Sequence, residues 1–153
     1  MKKSVIARCL VVFIIGIMLA PATEATFTPE EITTTVMDLG RGITVKSTVT
    51  ICESISTYST MASKTAKKTD IYERNGTEIA TVIITASFGY DGTTSWVNSA
   101  SVSKSVSSGW TYTNENLTTS GGTATVTALL RKTGIETVDV YTYISCSHNG
   151  DIS

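Results

Sequence analysis

The chain has 153 residues, 41% of them hydrophobic and 16% charged, with 12 basic against 13 acidic side chains. Ser and Thr number 18 and 28, Gln is absent and Pro occurs twice. Thr is stiff at its branched Cβ and favours extended backbone, so this composition excludes a helical bundle, a coiled coil, a collagen-like repeat and a highly charged disordered chain as the main body. A net charge of −1 also argues against a nucleic-acid partner, which needs clustered Lys and Arg to release counterions.

Residues 1–22 have the pattern of a secretory signal helix. Lys2, Lys3 and Arg8 make a basic start, Leu10 to Leu19 an apolar run, and Ala20-Pro21-Ala22 a small-residue cleavage site. Cleavage is expected after Ala22, with Ala25 as the second choice. The apolar run is well short of the roughly 20 residues that cross a bilayer, so no membrane attachment is expected once the signal is removed. Removal leaves 9 basic and 13 acidic residues, a charge of −4. Secretion from the cell is the expected destination.

Residues 23–42 form a lead-in. Thr28-Pro29-Glu30-Glu31 has a capping-box spacing with Pro at the first helical position, and Gly40 is a suitable stop, so a short helix is predicted there. From residue 43 to 153 a single domain is expected. Ile43, Val45, Val49 and Ile51 begin the first strand. Ala80, Val82, Ile84, Ala86, Phe88 and Tyr90 alternate with Thr81, Thr85 and Ser87 in the clearest one. Ala124, Val126, Ala128 and Leu130 form another, and Val138, Val140, Thr142, Ile144 and Cys146 the last. Strands are predicted near 43–53, 66–74, 77–90, 94–103, 109–118, 123–132 and 135–147, with a hydroxyl-rich loop over 54–63.

Asn75-Gly76, Asp91-Gly92, Gly121-Gly122 and Thr133-Gly134 supply residues that tolerate positive φ at hairpin turns, so consecutive strands are expected as antiparallel neighbours. About seven strands of this kind point to an all-β fold, an antiparallel β-sandwich of immunoglobulin-like or related type, with a barrel as the alternative.

Two cysteines remain after export, Cys52 and Cys146, separated by 93 residues. A disulfide between them is expected in an oxidising compartment, and a loop of that length corresponds to about 4.7 kcal/mol in the chain-entropy model. Cys146 shares the apolar phase of its strand. Cys52 is out of phase with Ile43, Val45, Val49 and Ile51, so a bridge requires a bulge there.

Catalytic patterns are sparse. His148 is the only histidine, and it stands beside Asn149-Gly150 in an expected tail. No HExxH, CxxC pair, EF-hand spacing or Gly-x-Ser-x-Gly elbow occurs. No catalytic residue, cofactor or metal site is therefore assigned, and no enzyme is expected. The aromatics offer a better lead: Tyr141 and Tyr143 fall opposite the apolar stripe of their strand, and Trp96 lies on another. Exposed rings stack on sugars or anchor a protein partner. Trp110 is assigned to the core.

The segments Ile79–Val82, Phe88-Gly89-Tyr90-Asp91-Gly92, Ser108-Gly109-Trp110 and Ile144-Ser145-Cys146-Ser147-His148-Asn149-Gly150 resemble those of small, uncharacterised secreted Ser/Thr-rich β-proteins of Gram-positive bacteria. The resemblance spans residues 64–153 and rests on turns and core positions, so it implies a compartment and brings no activity. The leading expectation is a secreted, non-enzymatic β-domain that binds an extracellular glycan, cell-surface or protein partner. A secreted antimicrobial or toxin-like protein is the first alternative, and a secreted hydrolase the second.

Overall fold

The protein is described here by a computed structural model that covers residues 30–56, 61–134 and 136–153. The expected signal peptide, its cleavage points and residues 23–29 of the lead-in lie outside the described residues. Within them the chain forms eight strands: β1 (Glu30–Gly40), β2 (Ile43–Ser56), β3 (Ala62–Arg74), β4 (Thr77–Tyr90), β5 (Ser95–Val106), β6 (Thr111–Ser120), β7 (Thr123–Lys132) and β8 (Glu136–Ser145). Strands β2 to β8 are the seven predicted from alternation and turns. β2 and β3 run further than predicted, into both ends of the expected hydroxyl-rich loop.

β1 corrects the predicted helix. Glu30–Gly40 pairs antiparallel with β2, placing Val36 opposite Lys46 and Met37 opposite Val45. The hairpin closes at Arg41-Gly42 with φ of 54° and 75°, the left-handed pair of a type I′ turn. Extended backbone prevails because Thr33, Thr34 and Thr35 are stiff at χ1 and β2 offers a row of backbone partners.

The strands form two sheets, one ordered β1-β2-β3-β4-β5 and the other β6-β7-β8, all neighbours antiparallel. This is a β-sandwich in layers, but each sheet is a simple meander. The immunoglobulin connectivity is therefore corrected, since it places strands distant in sequence side by side. The chain changes sheets through residues 107–110, where the Trp110 N–H donates to the Ser107 carbonyl at 3.1 Å.

Two clusters fill the interior. One holds Tyr72, Val82, Leu130 and Val140, and the other Ile84, Phe88, Val126 and Ile144. Trp110 packs in the first, as assigned. The Asn75-Gly76 turn has the positive φ pair expected of it, 50° and 79°. At Asp91-Gly92 the connection is longer than a two-residue turn and runs over 91–94. Its first residue explains why, because the Asp91 carboxylate accepts the N–H groups of Thr93 and Thr94 at 2.9 and 2.7 Å.

The expected disulfide is absent, and Cys52 and Cys146 are free thiols. β2 does bulge between Ile51 and Glu53. The Cys52 thiol nevertheless turns back to the carbonyl of Thr50, 4.0 Å away. Cys146 is buried in the second cluster with its thiol directed to the Ser147 carbonyl at 3.4 Å.

Candidate functional site

The period of two in β8 sends Val138, Val140, Thr142 and Ile144 inward and leaves Asp139, Tyr141 and Tyr143 outside. Tyr141 is 63% exposed and Tyr143 43%. Their ring centroids are 6.0 Å apart with planes tilted by 55°. The pair is thus a wall of two angled rings and not one flat platform. The Lys68 ammonium stands 4.7 Å from the Tyr143 ring centroid, within cation–π range.

Trp96 is elsewhere. It pairs with Gly89 across β4 and β5, opposite in phase to the inward pair Phe88 and Val97. A Cβ on Gly89 would collide with the Trp96 ring, so the absence of a side chain at Gly89 is what lets the indole lie down on the sheet. Its N–H donates to the Asn98 side-chain oxygen at 2.9 Å. The three proposed binding aromatics therefore divide into a pair on β8 and a single ring on the outer face of the large sheet.

What lies beside the tyrosines follows from the unequal size of the sheets. β8 packs over β3 and β4, β7 over β4 and β5, and β6 against β5, whereas no Cα of β1 or β2 comes within 8 Å of the small sheet. The inner face of the large sheet thus continues beyond β8 and leaves a groove of about 450 Å³. Val45, Val49, Asp70 and Tyr72 form its floor, while Met37 and Leu39 of β1 face Tyr141 and Tyr143 across it. Met37 is 62% exposed and Leu39 45%, an apolar flank that a lone folded chain does not cover.

Two polar features sit in this groove. Asp70 is 2% exposed, and its Oδ1 is buried with no hydrogen-bond partner. A carboxyl oxygen that has given up water without gaining a donor is unfavourable until a partner is supplied. The second feature is the open edge of β8. The Cys146 N–H turns towards β7, donating to the Gly122 carbonyl. By the alternation of an antiparallel ladder, the backbone groups of Ser145, Tyr143, Tyr141 and Asp139 turn the other way.

On that open side Ser145 and Ser153 exchange N–H···O bonds of 2.8 and 3.0 Å, and the Tyr141 N–H lies near the Tyr72 hydroxyl. Burial raises the Tyr72 phenol well above its ordinary pKa, the charge of Asp70 adds to the rise, and the Tyr141 N–H opposes both. Tyr72 is thus a neutral hydroxyl at physiological pH.

Among the described residues no three His, Cys, Asp or Glu side chains lie close enough together to hold a metal ion. His148 is exposed in the turn over 147–150, where its carbonyl accepts the Gly92 N–H at 2.9 Å.

The sequence pointed to Tyr141 and Tyr143 and missed Asp70, Met37 and Leu39. For Asp70 the signal was its shared phase with Ala66 and Tyr72, which the charge on Lys68 and Asp70 concealed. Comparison with protein-family models, with curated proteins and with solved structures found no match.

Proposed function

We propose that this chain is a secreted, non-enzymatic domain that binds an extracellular partner in the groove between β1–β3 and β8. The observation that carries this reading is the groove itself, where exposed apolar side chains, two tyrosines and a buried carboxyl oxygen without a hydrogen-bond partner converge. Pockets that recognise ligands combine apolar lining with a few directed polar groups in this way. Secretion is the part of the proposal that rests on the basic and apolar start of the sequence.

A protein partner suits the site better than a glycan. Sugar stacking needs an accessible flat ring face, and here the rings are tilted and one of them carries Lys68 over it. The acidic balance of the processed chain, 9 basic against 13 acidic residues, disfavours the membrane-attacking alternative, which relies on cationic surface.

The test is retention of extracellular glycans and of extended peptides on immobilised processed protein, beside Tyr141→Ala, Tyr143→Ala and the double variant. Loss of retention in the double variant, with its unfolding curve unchanged, is the expected result. Equal retention by all four proteins, or none of either ligand class by the wild type, overturns the reading.

A further inference from the structure

We propose that the groove is the vacancy of a missing strand: an extended segment of a partner protein adds to the open edge of β8 and sets a lysine or arginine against Asp70. This rests on the binding reading above and specifies the ligand. Three observations support it.

The first is architectural. Five strands face three, and the uncovered part of the large sheet lies directly beyond β8, where a fourth strand of the small sheet would stand. Adding a strand to an exposed edge uses main-chain hydrogen bonds for affinity and alternate side chains for selection.

The second is that the edge already has fragments of such pairing. Residues 151–153 turn back antiparallel to the end of β8, with Cys146 bridged to Ile152 and Ser145 bonded to Ser153. Further along, the Tyr141 N–H, turned to the open side, lies near the Tyr72 hydroxyl where a strand carbonyl would stand. An incoming strand continues this partial ladder past Tyr143 and Asp139.

The third is charge. Asp70 and Asp139 line the groove against a single cation, Lys68, whose ammonium is held over Tyr143. The buried Oδ1 of Asp70 therefore selects a donor that bears positive charge. Apolar neighbours of that residue meet Val45 and Val49 below and Met37 and Leu39 at the side.

The chain's own segments are poor occupants. Residues 23–29 contain Glu24 and no basic residue, and β1, an edge strand of the large sheet, contains none either. A strand from a second copy through either segment would leave Asp70 unanswered.

The probe is a short fluorescent peptide in which valine, lysine and valine alternate with threonines, titrated against processed protein by anisotropy. Two altered peptides accompany it, one with norleucine for lysine and one with N-methyl groups on the backbone positions that would face β8. Saturable binding is expected, weakened at least tenfold by norleucine, by N-methylation and by Asp70→Asn. Norleucine combined with Asp70→Asn should cost little more than either alone, because both remove the same contact.

Equal affinity for the lysine and norleucine peptides, tolerance of N-methylation, or no peptide binding at all overturns the strand proposal. If peptides fail while glycans are retained through Tyr141 and Tyr143, the groove still binds but takes no strand. If neither class is retained, the underlying binding reading has failed as well.

Discussion

Replacing Phe88 by Ala tests whether the two sheets share one dry interior. Phe88 is 0% exposed and packs in a cluster that draws Ala86 from β4, Val126 from β7 and Ile144 from β8. A buried phenylalanine removes about 150–250 Å² from water, which at about 25 cal/mol per Å² corresponds to about 4–6 kcal/mol. Ala retains its Cβ and the neighbours relax in part, so the expected loss is about 3–5 kcal/mol, the range usual for this truncation. Against a domain stability of about 5–15 kcal/mol this is a large fraction. The thermal midpoint should fall by about 12–20 °C, taking about 4 °C per kcal/mol for a domain of this size.

Urea unfolding followed by the emission of buried Trp110 gives the free energy directly, and the slope with denaturant should stay constant. A loss below about 1 kcal/mol, outside the usual range for core truncation, would mean that Phe88 is not enclosed. The packing of the small sheet on the large one would then be refuted.

Other substitutions and titrations probe separate features. Thr142 is 1% exposed with its hydroxyl unpartnered among core side chains, so Thr142→Val should stabilise the protein by about 1 kcal/mol in the same urea assay; destabilisation would show that the hydroxyl has a partner. The Thr94 and Thr93 amides hold the Asp91 carboxyl below its ordinary value of 3.8. The contribution of that capped loop is complete above this value and is lost as pH falls through the lowered one. An NMR titration should show the Thr93 and Thr94 amide shifts moving with a midpoint below 3.8, and a midpoint at or above it contradicts the cap. Burial raises the Cys146 thiol, with Lys64 opposing and Asp151 adding to the rise. A thiol reagent at mildly alkaline pH should label half-buried Cys52 first and Cys146 only on unfolding, whereas equal rates or no reaction at either site would contradict two free thiols of unequal access.

Seven strands were legible because alternation and turn chemistry agree along β2 to β8. Val82, Ile84, Ala86 and Phe88 keep one phase, and Asn75-Gly76 supplies the positive φ that closes the hairpin before them. β1 was obscured by a local pattern with two meanings. Thr28-Pro29-Glu30-Glu31 has the spacing of a helix start, while Arg41-Gly42 beyond it carries the hairpin signal in its left-handed φ pair. Only pairing with β2 decides between them.

The site was legible to the same degree. The phase of β8 placed Tyr141 and Tyr143 outside, but a groove made by two sheets of unequal width is a property of strand count and stacking. Asp70 was hidden because a charge on a strand ordinarily marks the wet face. Cys52 and Cys146 follow the same rule, since phase located each thiol but long-range register determines whether the two can meet.

Hydrogen exchange along β8 tests the open edge most directly. In the free protein the Val140, Thr142 and Ile144 amides, which face β7, should exchange slowly, while those of Asp139 and Tyr143 exchange quickly. Saturation with the lysine-bearing probe peptide should slow Asp139 and Tyr143 and leave the other three unchanged. Asp139 and Tyr143 amides already slow without peptide, or still fast when it is bound, would contradict a vacant strand position beside β8.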